Sequence, residues 1–162
     1  MWRLALLKSI GDPMKIAALV FAILAVVIVA SLVMQNMKTP TYLGHKDGKL
    51  APMPTKPNAV STQTEFEDKK VAALPFKANT EQTLAAVTKA LTEMANNEVK
   101  VNDNNYIYTV FTSAKMRYHD DVELYLDEES KMLHFRSQSR AGYSDMGVNR
   151  KRYEQFSALY SM

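Results

Sequence analysis

The sequence predicts an α+β domain carried behind a single N-terminal membrane-spanning helix. Three observations lead there: an unbroken apolar run near the start, an amphipathic helical pattern followed by strand-like segments, and a second helical pattern at the C-terminus. The chain has 162 residues, 47% hydrophobic and 23% charged, which suits one domain with appendages and excludes a chain disordered throughout. It has no cysteine, so disulfides, thiolate metal sites, a catalytic cysteine and a lipidated cysteine are excluded.

Residues 1–13 form the expected cytoplasmic segment. MWRLALLKSI can lie as a short interfacial helix, with Trp2 and Arg3 in the headgroup layer, or serve as an ordinary signal-anchor leader. Residues 14–34 read MKIAALVFAILAVVIVASLVM, apolar except for Lys15 and Ser31. As a helix this run is about 31 Å long and matches a hydrocarbon core of about 30 Å. A cut after Ala30 would make it a signal peptide, but the run exceeds the ~7–15 residues of a signal core, so the reading here is a retained span. Arg3, Lys8 and Lys15 precede it, and the basic residues that follow are more widely spaced. That bias puts the N-terminus in the cytoplasm and the C-terminal domain in the periplasm or another extracytoplasmic space.

Residues 35–64 are the expected linker. Four of the six prolines fall in it (Pro40, Pro52, Pro54, Pro57), and no period of 2 or 3.6 runs through it. Residues 1–64 carry seven basic and two acidic residues, a net of +5, whereas residues 65–162 have a net of −2. The pI near 9.0 therefore belongs to anchor and linker, and nucleic acid is not an expected partner.

Residues 65–162 are the expected extracytoplasmic domain. A helix is predicted over 79–95, with Asn79 and Gln82 as a capping box and Leu84, Val87, Leu91 and Met94 on one stripe. Strands are predicted over 98–102, 106–112, 122–127 and 131–136, separated by Asp103-Asn104-Asn105 and Glu128-Glu129-Ser130. A closing helix starts near Asn149 with Tyr153, Phe156, Leu159 and Tyr160 inward. The order suggests a small antiparallel sheet packed with helices on one side.

The segment 134–152, HFRSQSRAGYSDMGVNRKR, is not demanded by core building. It suits an anion site. Arg136, Arg140 and Arg150 would contact the anion, Ser137, Ser139, Tyr143 and Asn149 would orient it, and Asp121 and Asp145 would hold the arginines. The competing reading is scaffolding, in which the arginines pair with Asp120, Asp121 and Asp145 and lock the loop onto the sheet. A hydrolase built on Ser144 with His119 or His134 has weaker support. In Gly142-Tyr143-Ser144-Asp145-Met146-Gly147 the second glycine comes one residue late for a nucleophile elbow, and no histidine follows His134. A metal centre from His119, Asp120, Asp121 and His134 lacks any ligand-spacing motif, so no metal and no cofactor is expected.

Three further stretches carry a resemblance: Pro57-Asn58-Ala59-Val60-Ser61-Thr62, Phe111-Thr112-Ser113 and Asp120-Asp121-Val122. With the long string from Arg136 to Arg152, they resemble the domain-of-unknown-function 1499 family (DUF1499) over roughly residues 52–160. The family often has a cysteine after the Pro-Asn pair, where this chain has Ala59. The resemblance implies exported or anchored proteins of bacterial-envelope or plastid type and carries no established activity. The expected function is a non-enzymatic binding or accessory module of the cell envelope, facing a protein partner or an anionic lipid or glycan ligand. The alternative is a small envelope hydrolase or metal-dependent enzyme with its chemistry near Ser144, His134 or His119.

Overall fold

A computed structural model describes residues 12–162. The interfacial helix expected over the first ten residues lies outside the described residues, as do Arg3 and Lys8. The chain divides into two compact units, one ending at Met37 and the other running from Lys38 to Met162.

The first unit is the helix α1 (Pro13–Met37), 25 residues long and apolar on every side, with no buried residue. Asp12 starts it by accepting the Met14 amide at 3.0 Å, and Pro13 sits at the first helical position, where a missing N–H costs nothing. The helix outruns the predicted span because Gln35, Asn36 and Met37 continue its hydrogen bonding past the apolar run. It is long and apolar enough to cross a membrane, and near an N-terminus such a helix serves as an anchor or a signal sequence.

The second unit is α+β. Its elements are β1 (His45–Lys46), β2 (Lys49–Leu50), β3 (Ala59–Ser61), β4 (Leu74–Pro75), α2 (Thr80–Glu93), β5 (Asn97–Asn102), β6 (Tyr106–Thr112), β7 (His119–Asp127), β8 (Met132–Ser139) and α3 (Val148–Ser161). The main sheet runs β3-β8-β7-β6-β5, antiparallel throughout, with β4 also pairing β8. β1 and β2 form a separate hairpin. The Asn79 side chain caps α2 by accepting the Gln82 amide at 2.8 Å. Asn97 closes its other end, donating to the carbonyls of Leu91 and Met94 at 2.8 and 2.6 Å.

Strand alternation divides the sheet into two unlike faces. Ile107, Val122, Leu124, Leu133 and Phe135 face α2 and α3, where they meet Val87, Leu91 and Phe156 in the main core. On the reverse face Tyr106, Tyr108, Val110 and Tyr125 form a smaller cluster closed by Leu50. His45 stacks on Tyr125 with ring centroids 4.3 Å apart.

That cover comes from the stretch the sequence assigns to the linker. Leu50, Met53, Asn58, Val60 and Ser61 are buried, and β3 pairs with β8 from Ala59↔Gln138 to Ser61↔Arg136. The packed unit therefore begins well before residue 65. Leu50 and Met53 are buried singly, and residues 58–61 are buried without alternation, so no hydrophobic period marks the stretch. The strands are also longer than the sequence suggests. β7 starts at His119, and β8 runs on to Ser139 because residues 137–139 pair with β7 on one side and residues 136–138 with β3 on the other.

Candidate functional site

The string Arg136-Ser137-Gln138-Ser139-Arg140 lies along β8 and just past its end, and strand alternation deals its side chains to opposite faces of the sheet. The arginines and Gln138 go to the reverse face. The serines go to the helix face. Two separate polar networks result.

On the reverse face Arg136 stands opposite Glu123 across β7–β8. Its Nη1 donates to Glu123 Oε2 at 2.9 Å, and the two side chains are 1% and 0% exposed. Nε donates to the Ala51 carbonyl at 3.1 Å, Nη2 donates to Gln138 Oε1 at 2.5 Å, and the guanidinium lies 4.3 Å from the Tyr42 ring centroid. Glu123 Oε1 accepts from the Tyr106 hydroxyl and the Gly44 amide, both at 2.8 Å. Four residues further on, Arg140 forks onto Asp121, with Nε at 3.0 Å from Oδ2 and Nη2 at 2.8 Å from Oδ1. The Tyr108 hydroxyl donates to the same Oδ1 at 2.6 Å and accepts from Arg140 Nη2 at 2.9 Å.

These contacts fix protonation states. Burial, then the Glu123 carboxylate, push the Tyr106 hydroxyl far above the ordinary phenol value. Burial and the bond to Asp121 do the same for Tyr108. Both phenols are therefore held as hydrogen-bond donors. For Arg140, burial opposes the charge, but the bonds to Asp121 outweigh it and its pKa lies above the usual value.

The helix-face network joins β8 to α3. Arg152 Nη2 reaches Asp120 Oδ2 at 2.6 Å, while its Nη1 donates to Asn149 Oδ1 at 2.5 Å and Ser137 Oγ at 3.1 Å. The Arg152 guanidinium also lies 4.7 Å from the Phe111 ring centroid. Asn149, fully buried, donates to Ser139 Oγ at 3.0 Å and to the Asn58 carbonyl at 2.9 Å. Asn58 then ties down the following loop through the carbonyls of Ser139 and Gly142, both at 3.3 Å.

The remaining candidates lie elsewhere. Among the described residues no arginine side chain is seen paired with Asp145; its oxygens accept the amides of Gly147 at 3.1 Å and Asn149 at 2.8 Å and so start α3. Arg150 Nη2 donates to the carbonyls of Asp68 and Lys70 at 2.9 and 3.1 Å. Tyr143 is 73% exposed. Ser144 is exposed and accepts the Met146 amide at 3.2 Å. His134 bonds Thr62 Oγ1 at 3.1 Å and lies 3.9 Å from Asp127, towards the other end of the sheet. His119 lies 3.5 Å from Arg140. Ser144 and either histidine are thus held by different partners. Among the described residues, no three histidine or acidic side chains form a group that could hold a metal ion.

Glu123, Gln138, Tyr106, Tyr108, Tyr42 and Asn58 complete the networks, although sequence reasoning gave none of them a role in the site. The signal for Glu123 was its strand register: a lone acid among aromatic and aliphatic residues, directly across from Arg136. Nothing in the local sequence marks Tyr42 or Gly44 as their cover.

Chemically, the two arginine–acid pairs of the reverse face and the pair under α3 are closed structures. Each guanidinium already has carboxylate, carbonyl or hydroxyl acceptors of its own. The side chains exposed nearby are Tyr143 and Met146 of the loop they hold, and Val148 and Lys151 at the start of α3.

A comparison with curated proteins finds no match. The sequence pattern of the family described as Protein of unknown function (DUF1499) matches residues 49–159, from β2 to the last turn of α3. That match covers well over half of the chain and, Tyr42 and Gly44 apart, both networks, and the chain belongs to the DUF1499 family.

Proposed function

We propose that this protein is a membrane-anchored, non-enzymatic accessory module of the bacterial cell envelope. In this reading α1 stays in the inner membrane, the N-terminus is cytoplasmic and the Lys38–Met162 unit works in the periplasm. The observation that carries a binding role is the division of labour in the signature string. Arg136, Arg140 and Arg152 are held in buried ion pairs. Ser137, Ser139 and Asn149 join β8 to α3 beneath them. Asp121 and Asp145 anchor the two ends of the loop that follows. Such a frame holds a rigid loop at the domain surface for a protein partner or an anionic envelope ligand, contacted by Tyr143 and Arg150 rather than by the buried arginines.

The enzyme alternative near Ser144, His134 or His119 gains less support, because Ser144 is engaged with the Met146 amide while His134 is engaged with Thr62 and Asp127. Protease treatment of spheroplasts tests the topology. The expected result is loss of a C-terminal epitope while a cytoplasmic control survives. Protection of that epitope alongside digestion of an exported control rejects the periplasmic reading.

A further inference from the structure

Three segments meet at one end of the sheet: the β6–β7 loop (113–118), the loop after β8 (140–147) and the first turn of α3. The Arg140 amide donates to the His119 carbonyl at 3.0 Å, and Ser113, Val148 and Lys151 line one shallow groove. The Lys38–Met162 unit leaves eight large apolar side chains exposed, and five are here: Met116, Tyr118, Tyr143, Met146 and Val148. Met146 is 91% exposed and Met116 69%. Arg117 and Met146 both adopt left-handed backbone, with φ of 56° and 54°, which turns each loop sharply at its tip.

Charge is divided the same way. Lys115 and Lys151 belong to this end, and Asp145 of the neighbouring loop has its oxygens on backbone amides. The opposite end, where β5 turns into β6 and β7 into β8, carries Asp103, Asp127, Glu128 and Glu129. Isolated exposed apolar residues need no explanation, but protruding ones clustered and interleaved with cations have the composition of an interfacial membrane contact. The connector favours a bilayer over a soluble partner. Only residues 38–41 separate α1 from Tyr42, whose ring packs on Arg136. Whatever the arrangement, that link spans no more than about 18 Å.

We infer that this end of the domain docks on an anionic bilayer surface, with Met116, Tyr143 and Met146 entering the interfacial layer and Lys115 and Lys151 facing lipid phosphates. The inference rests on the membrane-anchored reading and narrows its ligand to the membrane itself.

The absence of cysteine allows single labelling sites in the full chain. Met146→Cys, Met116→Cys and, at the opposite end, Glu128→Cys are labelled with an environment-sensitive fluorophore. Each full-length protein is reconstituted in vesicles of phosphatidylcholine alone or with added phosphatidylglycerol. Labels at 146 and 116 are expected to shift to the blue and to be quenched by a bilayer-embedded nitroxide only with the anionic lipid, and the label at 128 in neither. Lys115→Ala and Lys151→Ala should each lower the docked-to-free ratio about fivefold. Water-exposed emission at 146 and 116 in both vesicles, from protein that resists carbonate extraction, overturns the docking and leaves the anchor standing. Shielding of these labels in native membranes but not in pure lipid overturns it in favour of a protein partner. Extraction by carbonate overturns the anchored reading, and the docking falls with it.

Discussion

The two faces of the sheet are built from one strand, yet they solve different problems. On the helix face, polar groups sit at the margin of a large apolar core, and Asn149 is the hub: its side chain meets Ser137, Ser139, Arg152 and the Asn58 carbonyl. On the reverse face the core is small, and two full ion pairs lie under a thin cover made of residues 42–51. A neutral amide can be lost from the first network at the cost of hydrogen bonds. A partner lost from the second leaves a bare charge out of water. The arginines of the signature string are therefore not equivalent, although they look alike in sequence.

Removing one member of the Arg136–Glu123 pair is the most direct way to break this distinction. Arg136→Ala should cost about 3–5 kcal/mol, because Glu123 is then buried without its cation. Urea unfolding of the full chain in detergent, followed by the near-ultraviolet signal of the tyrosines, measures it. The double change Arg136→Met with Glu123→Leu should recover most of the loss, since no unpaired charge remains. If the double variant is as unstable as the single one, shape and not charge governs this face.

Asn149→Ala tests the other face and should cost less, about 1–3 kcal/mol, as Ser139, Ser137 and the Asn58 carbonyl lose a buried partner. A second readout sharpens the contrast. Amide exchange should speed up in residues 140–147, because Asn58 and Asn149 tie that loop to the sheet. Arg136→Ala should instead loosen residues 42–51. Equal loosening of both segments in both variants would mean the two networks act as one.

How much of this could be read beforehand depends on where the contacts come from. The α+β class, the helix over Thr80–Glu93 and the β7–β8 hairpin follow from local periodicity, since Val122, Leu124, Leu126, Leu133 and Phe135 alternate plainly. The Arg136–Arg140 stretch was harder. Polar residues on both faces erase the apolar alternation, so a strand reads as a loop. The 42–61 stretch was harder still. Its burial is set by single side chains such as Leu50 and Asn58 reaching distant strands, information that no local window contains. The choice between anion site and internal pairing turned on the same long-range fact, namely which face Glu123 and Asp121 share with the arginines.

A third, smaller effect comes from pH. His134 stands on the reverse face beside Tyr125, Thr62 and Asp127, and burial lowers its pKa below the ordinary value even though Asp127 pulls the other way. Folding therefore favours the neutral ring. This contribution is complete above about pH 6.5 and declines as pH falls from there through the lower folded-state value. His134→Gln should flatten the stability profile in that window. An unchanged slope in the variant would place the pH response in another histidine.

The smallest expected effect belongs to Arg150, and it sharpens the comparison most. Arg150 lies in the same string as Arg136 and Arg152, but its acceptors are two backbone carbonyls, Asp68 and Lys70, in an exposed setting. Water can replace it there, so Arg150→Ala should change stability by no more than about 0.5 kcal/mol. A loss as large as that of Arg136→Ala would show that the 66–70 loop, and not the paired sheet, limits the fold. A near-zero change would leave Arg150 with no structural duty in proportion to its charge, which is the property a contact residue on the outer side of α3 requires.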